Sequence, residues 1–192
     1  MGRDTVTVLP AKPAVFLDRD GVLNEAIIRN GKPYPPAELS ELVITSGACA
    51  ALEELKREGF LLVVVTNQPD VARGKAKRVD VDNINAQLAA ILPLDAIEVC
   101  EHDDEAQCDC RKPKPGMLLR ACENLGADLA NSFMVGDRWR DIECGRRADC
   151  RTILIGDGYG EAFPSAPTIK LASLPDAASW ILQQIKHERE IT

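Results

Sequence analysis

Residues 14–24 read Ala14-Val15-Phe16-Leu17-Asp18-Arg19-Asp20-Gly21-Val22-Leu23-Asn24. The four apolar residues Ala14 to Leu17 carry no polar alternation, which suits a strand buried on both faces of a parallel sheet. They stop abruptly at two aspartates flanking an arginine. In open α/β sheets, ligands bind beyond the carboxyl ends of the strands, where connecting loops converge, so the chemistry of this chain is expected there. Gly21 allows the tight turn that follows, and two carboxylates two residues apart can be aimed into one small volume. Such a pair repels itself unless a divalent cation lies between the groups or one of them keeps its proton. Either state serves phosphoryl transfer: Asp18 beside Mg²⁺ could attack a phosphoryl group, while Asp20 protonates the leaving alcohol and later activates water. The same letters also spell a polar turn after a core strand, since Asp and Gly are common turn formers. The rest of the chain decides between the two.

At 192 residues the chain is expected to form one domain, 1–192, with enough length for a sizeable core. Its net charge of −7 argues against a nucleic-acid partner, which would need a basic face. The chain has no apolar run of membrane-spanning length, and Met1 to Pro13 lacks the charged-then-apolar design of a signal peptide, so a cytoplasmic protein is expected. Without a long exposed apolar face, a monomer is expected too. Seven cysteines, an odd count in this context, point to metal ligands or buried thiols rather than to a disulfide framework.

Residues 25–39 hold one glycine and three prolines and read as a loop over the strand end, neither helix nor strand, with Arg29 and Lys32 suited to an anionic ligand. Residues 46–58 read as a helix capped by Thr45 or Ser46, and Leu61 to Val65 as a second buried strand ending in Thr66, Asn67 and Gln68. Strand, helix and strand make a right-handed parallel crossover, which brings a hydroxyl and two amides beside the aspartates, where they could hold phosphoryl oxygens. The basic run Arg73, Lys75, Lys77 and Arg78 follows, and its place after a polar strand end suits phosphate attraction. Asp80 and Asp82 fall inside the helix expected over 79–92, where alternate residues point apart, and get no metal role.

A third strand, Ala96 to Val99, runs into Cys100, His102, Cys108 and Cys110. Three thiols and an imidazole within eleven residues match the preference of Zn²⁺ for sulfur and nitrogen in a tetrahedron, and four protein ligands leave no open position. The zinc is therefore expected to be structural, clamping the polar loop 100–110. Arg111 and Lys112 come next, between that clamp and two prolines. Lys112 is the candidate for stabilising charge on the transferring group and Arg111 for gripping substrate. After a helix ending near Leu125, Ser132 to Val135 forms a fourth strand that ends on Gly136-Asp137-Arg138. Asp137 would complete a Mg²⁺ site with Asp18 and the main-chain carbonyl of Asp20. Asp141 could cap the next helix. A fifth strand at 152–155, a glycine-rich loop, a short strand near 168–171 and a helix over 175–186 close the chain, with Cys49, Cys122, Cys144 and Cys150 taken as core thiols.

The segments FLDRDGVLN, VVVTNQ, CRKPKPG and VGDRWRD, in this order at strand ends between residues 14 and 155, resemble the four motifs of the haloacid dehalogenase superfamily of phosphohydrolases. The resemblance implies an α/β fold, a Rossmann-like three-layer sandwich around a central parallel sheet. It implies Asp18 as nucleophile, Asp20 as acid/base, Thr66 and Lys112 on the phosphoryl group, and Asp137 on Mg²⁺. Within that superfamily, ELKREGFLLVVVTNQPDVARGK and the zinc loop are similar to the family of heptose 1,7-bisphosphate 7-phosphatases. That implies removal of the 7-phosphate of D-glycero-D-manno-heptose 1,7-bisphosphate, no large cap domain, and three loops (25–39, 69–78 and 100–112) shaping the site. Asn67, Arg111 and Arg138 would touch substrate, and Arg19, Gln68 and Arg73 join them as candidates. The chain departs from that family at Pro69-Asp70, where Ser-Gly is usual, and in its short His102 to Cys108 spacing, which is more like the histidinol-phosphate phosphatases. A small phosphorylated sugar is the expected partner. A zinc-stabilised binding protein without catalysis is the reading from another class, and the four retained charged groups Asp18, Asp20, Lys112 and Asp137 argue against it.

Overall fold

The computed structural model describes residues 11–191, so the stretch 1–10, where most of the missing signal-peptide design was read, lies outside the described residues. The chain runs through β1 (Lys12–Leu17), a small hairpin of β2 (Ile27–Arg29) and β3 (Lys32–Tyr34), α1 (Ala48–Arg57), β4 (Leu61–Asn67), α2 (Arg78–Ile91) and β5 (Ala96–Cys100). It continues through α3 (Gly116–Leu125), β6 (Ala127–Gly136), α4 (Trp139–Arg147), β7 (Arg151–Ile155), β8 (Ile169–Leu171) and α5 (Leu174–Ile191).

Among the described residues, six strands form one sheet in the order β5-β4-β1-β6-β7-β8, and every pairing in it is parallel. The chain builds outward from β1 through β4 to β5, then returns to the other side of β1 and builds outward again. This is the doubly wound arrangement, and its winding reverses beside β1, so the crevice at the carboxyl ends of β1 and β6 is where a ligand fits. Asp18 and Asp137 are the first residues past those two strands.

The unbroken apolar reading of β1 is accounted for by two cores. Val15 and Leu17 pack with Leu52 and Leu55 of α1, Leu88 of α2 and Ile181 of α5 on one face. Ala14 and Phe16 pack with Met117 and Leu118 of α3 and Cys144 of α4 on the other. Both faces of the sheet are covered, as an all-parallel sheet requires.

Several local expectations are corrected. Residues 25–39 are not free of regular structure: Ile27 pairs with Tyr34 and Arg29 with Lys32, around an Asn30-Gly31 turn with φ of 53° and 72°. Asn-Gly is the preferred pair for such a two-residue hairpin turn, and Pro33 is tolerated because a two-stranded ribbon is all edge. The residue that flanks the start of α1 is Gly47, with no side-chain cap from Thr45 or Ser46. β6 is ten residues long rather than four, because Ala127 and Asp128 pair with Lys12 and Pro13 before a register irregularity, after which Phe133 to Val135 pair with Val15 to Leu17. Cys144 and Cys150 are buried and Cys122 is half-buried, but Cys49 is exposed on α1. Among the described residues, no helix is long and apolar enough to cross a membrane.

Candidate active site

Asp18 sits just past β1, and its N–H donates to the Val135 carbonyl at 2.9 Å, which ties the end of β1 to the end of β6. Its Oδ1 accepts from the Arg19 N–H and from Lys112 Nζ, each at 2.8 Å, which leaves Oδ2 for other work. Burial pushes the Asp18 carboxyl up to about 6, with Asp141 and Asp20 adding to the shift and Lys112 opposing it. Lys112 is itself fully buried, and Nζ donates to Asp18 Oδ1, to the Val65 carbonyl at 2.7 Å and to Asp141 Oδ1 at 2.7 Å. Three donors meet three acceptors, so no ammonium hydrogen is left bare. Burial pulls the ionisation of the lysine down, but the Asp141 and Asp18 carboxylates outweigh it and push it above the ordinary lysine value. Asn67 keeps Lys112 in place from both sides: its Nδ2 donates to the Lys112 carbonyl and its Oδ1 accepts from the Lys112 N–H, both at 3.0 Å.

Asp137, past β6, is buried and its carboxyl is driven well above the usual range, first by burial and then by the charges of Asp18 and Asp141. Its Oδ1 is buried with no hydrogen-bond partner. Oxygens of Asp18, Asp137 and Asp141 all lie within 4.8 Å of one another. Three buried carboxylates at that separation with one orphaned oxygen are an all-oxygen donor set for a hard divalent cation, which would cancel their repulsion. Asp141 does cap α4, since its Oδ2 accepts from the Arg138 N–H at 3.0 Å. Its second oxygen, on Lys112, was not anticipated from the sequence.

Asp20 is not in that trio. Its carboxylate accepts from Arg19 Nε at 3.1 Å, Asn24 Nδ2 at 3.1 Å and Gln68 Nε2 at 2.8 Å, while one edge stays on the cleft. Arg19 is therefore a correction: it is wholly buried, with Nη1 on Asn85 Oδ1 at 2.9 Å, and it holds Asp20 from behind instead of facing the cleft. Gln68 likewise spends its amide on Asp20 and on Thr66 Oγ1 at 2.9 Å.

A small cleft of about 120 Å³ opens over these groups. It is lined by Asp18, Asp20, Thr66, Asn67, Arg111, Lys112, Asp137 and Arg138, together with Arg140 and Asp141, and roofed by Pro33 to Pro35 of the hairpin. Gln68 and Arg73 line its outward continuation. Asp104 of the polar loop lies among three arginines, 2.9 Å from Arg111 Nε and 3.6 Å from Arg73 and Arg140. Arg111 Nη1 and Arg140 Nε remain buried and unpartnered, and burial followed by the nearness of Arg111 and Arg138 depresses the Arg140 guanidinium. Two orphaned cationic donors at the cleft suit an anionic group. Arg140 was not singled out from the sequence, where it reads as one more charge in a helical turn.

Cys100, His102, Cys108 and Cys110 come together as expected. Cys110 Sγ lies 3.2 Å from Cys100 Sγ and 3.4 Å from Cys108 Sγ, Cys100 and Cys108 are 3.7 Å apart, and His102 Nδ1 is 3.4 Å from Cys110 Sγ. All the thiols are free. Metal–sulfur bonds of about 2.3 Å give a tetrahedron with edges of about 3.8 Å, so the four groups fit around one zinc with little adjustment.

The HAD-hydrolase-like family model matches residues 109–177. The chain is 36% identical over 186 residues to D-glycero-beta-D-manno-heptose-1,7-bisphosphate 7-phosphatase of Escherichia coli (strain K12), covering 90% of each chain. It is 40% identical over 159 residues to the protein of that name from Pasteurella multocida (strain Pm70), covering 77% of this chain and 83% of that one. Among solved structures it is similar to a D,D-heptose 1,7-bisphosphate phosphatase from B. bronchiseptica complexed with magnesium and phosphate. That match has a TM-score of 0.76 and 29% identity, and covers 90% of this chain and 99% of that one. The strand-end acids, the buried lysine and these relatives agree, and the chain belongs to the heptose bisphosphate phosphatase family of HAD-like hydrolases.

Proposed function

We propose that this protein is a Mg²⁺-dependent phosphomonoester hydrolase that removes the 7-phosphate of D-glycero-β-D-manno-heptose 1,7-bisphosphate through an aspartyl-phosphate on Asp18. The observation that carries the reading is the buried trio Asp18, Asp137 and Asp141 with Lys112 clamped to two of its members. Asp18, Asp137 and the main-chain carbonyl of Asp20 would hold the ion, with Asp141 as the third carboxylate of the set. When bound, Mg²⁺ supplies the positive charge that lets the carboxylates stand beside a phosphate. Asp18 Oδ2, left free by the two donors on Oδ1, attacks phosphorus as the bond to the sugar oxygen breaks. Asp20 gives its proton to that oxygen, then takes one from the water that cleaves the acyl phosphate and releases inorganic phosphate. Thr66 and Lys112 bear on the phosphoryl oxygens, and Arg111 and Arg138 on the rest of the substrate, with Asn67 holding Lys112 in register.

Zinc on Cys100, His102, Cys108 and Cys110 is structural in this reading, since four protein ligands close its shell. The protein acts as one domain, a cytoplasmic monomer turning over a small phosphorylated sugar, and the net charge of −7 does not suit a nucleic-acid partner.

The test is phosphate release with Mg²⁺ from both anomers of the heptose bisphosphate, fructose 1,6-bisphosphate, histidinol phosphate and an aryl phosphate, compared as kcat/KM. The β anomer is expected to be preferred by at least about ten-fold, a difference of one well-placed polar contact. The short spacing from His102 to Cys108 favours histidinol phosphate as the second reading, and a preference for that compound would replace the sugar.

A further inference from the structure

The loop that leaves β7 touches two strand-end residues of β6. Glu161 is ion-paired with Arg138, and the Tyr159 hydroxyl donates to Asp137 Oδ2 at 2.8 Å. The backbone goes to some length to aim that tyrosine. Gly158, Tyr159 and Gly160 have φ of 74°, 55° and 69°, three consecutive left-handed residues, of which only the glycines adopt the conformation freely. Asp157 Oδ1 accepts from the Tyr159 N–H at 3.1 Å, and the Phe163 ring lies 2.6 Å from where a side chain on Gly158 would begin. On the opposite side a Cβ on Gly21 would fall 1.9 Å from Asp137 Oδ2 and 3.1 Å from the Tyr159 hydroxyl, so the turn after Asp20 closes against this pair. An aromatic residue kept in a conformation it resists is a mark of a positioning role.

The Tyr159 hydroxyl is thus the donor on Asp137 Oδ2, at 2.8 Å. With Oδ2 taken by that donor, Asp137 Oδ1 is left buried and without a partner. We propose that Tyr159 is a positioning residue for the catalytic cation, fixing the rotation of Asp137 so that Oδ1 is presented to the metal. This rests on the metal-binding reading of the Asp18, Asp137 and Asp141 trio. Hydrogen bonds that orient a ligating carboxylate are worth about 10- to 100-fold in metal affinity when removed.

The experiment titrates Mn²⁺ into the substrate-free, zinc-loaded protein, reading free Mn²⁺ by electron paramagnetic resonance, for the wild type, Tyr159→Phe and Asp137→Asn. One site is expected in the wild type, weakened about ten-fold in Tyr159→Phe and lost in Asp137→Asn. The Mg²⁺ concentration for half-maximal phosphatase rate should rise by a similar factor in Tyr159→Phe, with kcat at saturating Mg²⁺ moving much less. Equal unfolding temperatures of the metal-free wild type and Tyr159→Phe would show that the change is local. Wild-type Mn²⁺ affinity in Tyr159→Phe overturns the positioning role while leaving the metal site standing. Binding that survives Asp137→Asn overturns the metal reading itself, and the role of Tyr159 falls with it.

Discussion

Asp18 is held at one oxygen and free at the other, an arrangement that suits the nucleophile proposed for it. Lys112 and the Arg19 N–H fix Oδ1, so Oδ2, the attacking atom of the proposed mechanism, is aimed without being spent. Asp18→Asn keeps the shape and removes the nucleophile, and turnover should fall by at least about 10⁴-fold. Because the buried carboxyl is pushed up to about 6, its ionised form is the disfavoured one in the fold, so the metal-free variant should unfold no earlier than the wild type at pH 7. Substantial turnover by a folded Asp18→Asn protein would sink the covalent mechanism. Asn67 acts one step back, through the main chain of Lys112. Asn67→Ala removes both bonds to that segment, and a lysine displaced by about 1 Å should lower kcat by roughly 10- to 100-fold with little change in Mn²⁺ affinity. Unchanged kcat would mean that the two prolines, not Asn67, fix the lysine.

Strand ends and their acids were legible from the sequence because a strand buried on both faces reads as an unbroken apolar run, and the polar residue that breaks it marks the crevice. Asp18, Thr66, Cys100 and Asp137 were placed that way. What the element pattern does not carry is which way a side chain turns once several loops converge. Arg19 stands between Asp18 and Asp20 in sequence, yet it points inward to Asn85 of α2. Asp104 reads as one acid in an acidic run, but it gathers arginines from three separate segments. The polar loop 100–110 therefore does more than end in Arg111: through Asp104 it fixes the cleft wall. Cys108→Ser should lose zinc, loosen that wall and lower kcat/KM by at least about ten-fold, mostly through KM, while the Asp137 metal site still binds Mn²⁺. Metal analysis and the Mn²⁺ titration read the two sites separately, and unaltered kinetics in a zinc-free protein would refute the clamp.

At the scale of the whole molecule, the site is a source of instability that its ligand removes. Three carboxylates share the carboxyl edge of the sheet, and burial first, then their mutual repulsion, raises the ionisation of both Asp18 and Asp137 against the pull of Lys112. A carboxyl whose folded value is raised binds its proton more tightly in the fold than in the open chain. The stability it carries is therefore present at low pH and lost as pH rises from the ordinary aspartate value through about 6. Mg²⁺ needs the deprotonated groups, so its stabilisation should run in the opposite sense. At 100 times its dissociation constant a single-site ligand contributes about 2.7 kcal/mol, or roughly 5–10 °C in unfolding temperature for a chain of this size. At pH 7.5 a shift of that order is expected on adding Mg²⁺. At pH 5, where Asp18 is largely protonated, the same addition should give less than about half of it. Thermal unfolding with and without Mg²⁺ at the two pH values measures both terms. Equal shifts at pH 5 and pH 7.5, or a full shift in Asp137→Asn, would mean that the cation binds elsewhere and that the buried carboxylates are not what it stabilises.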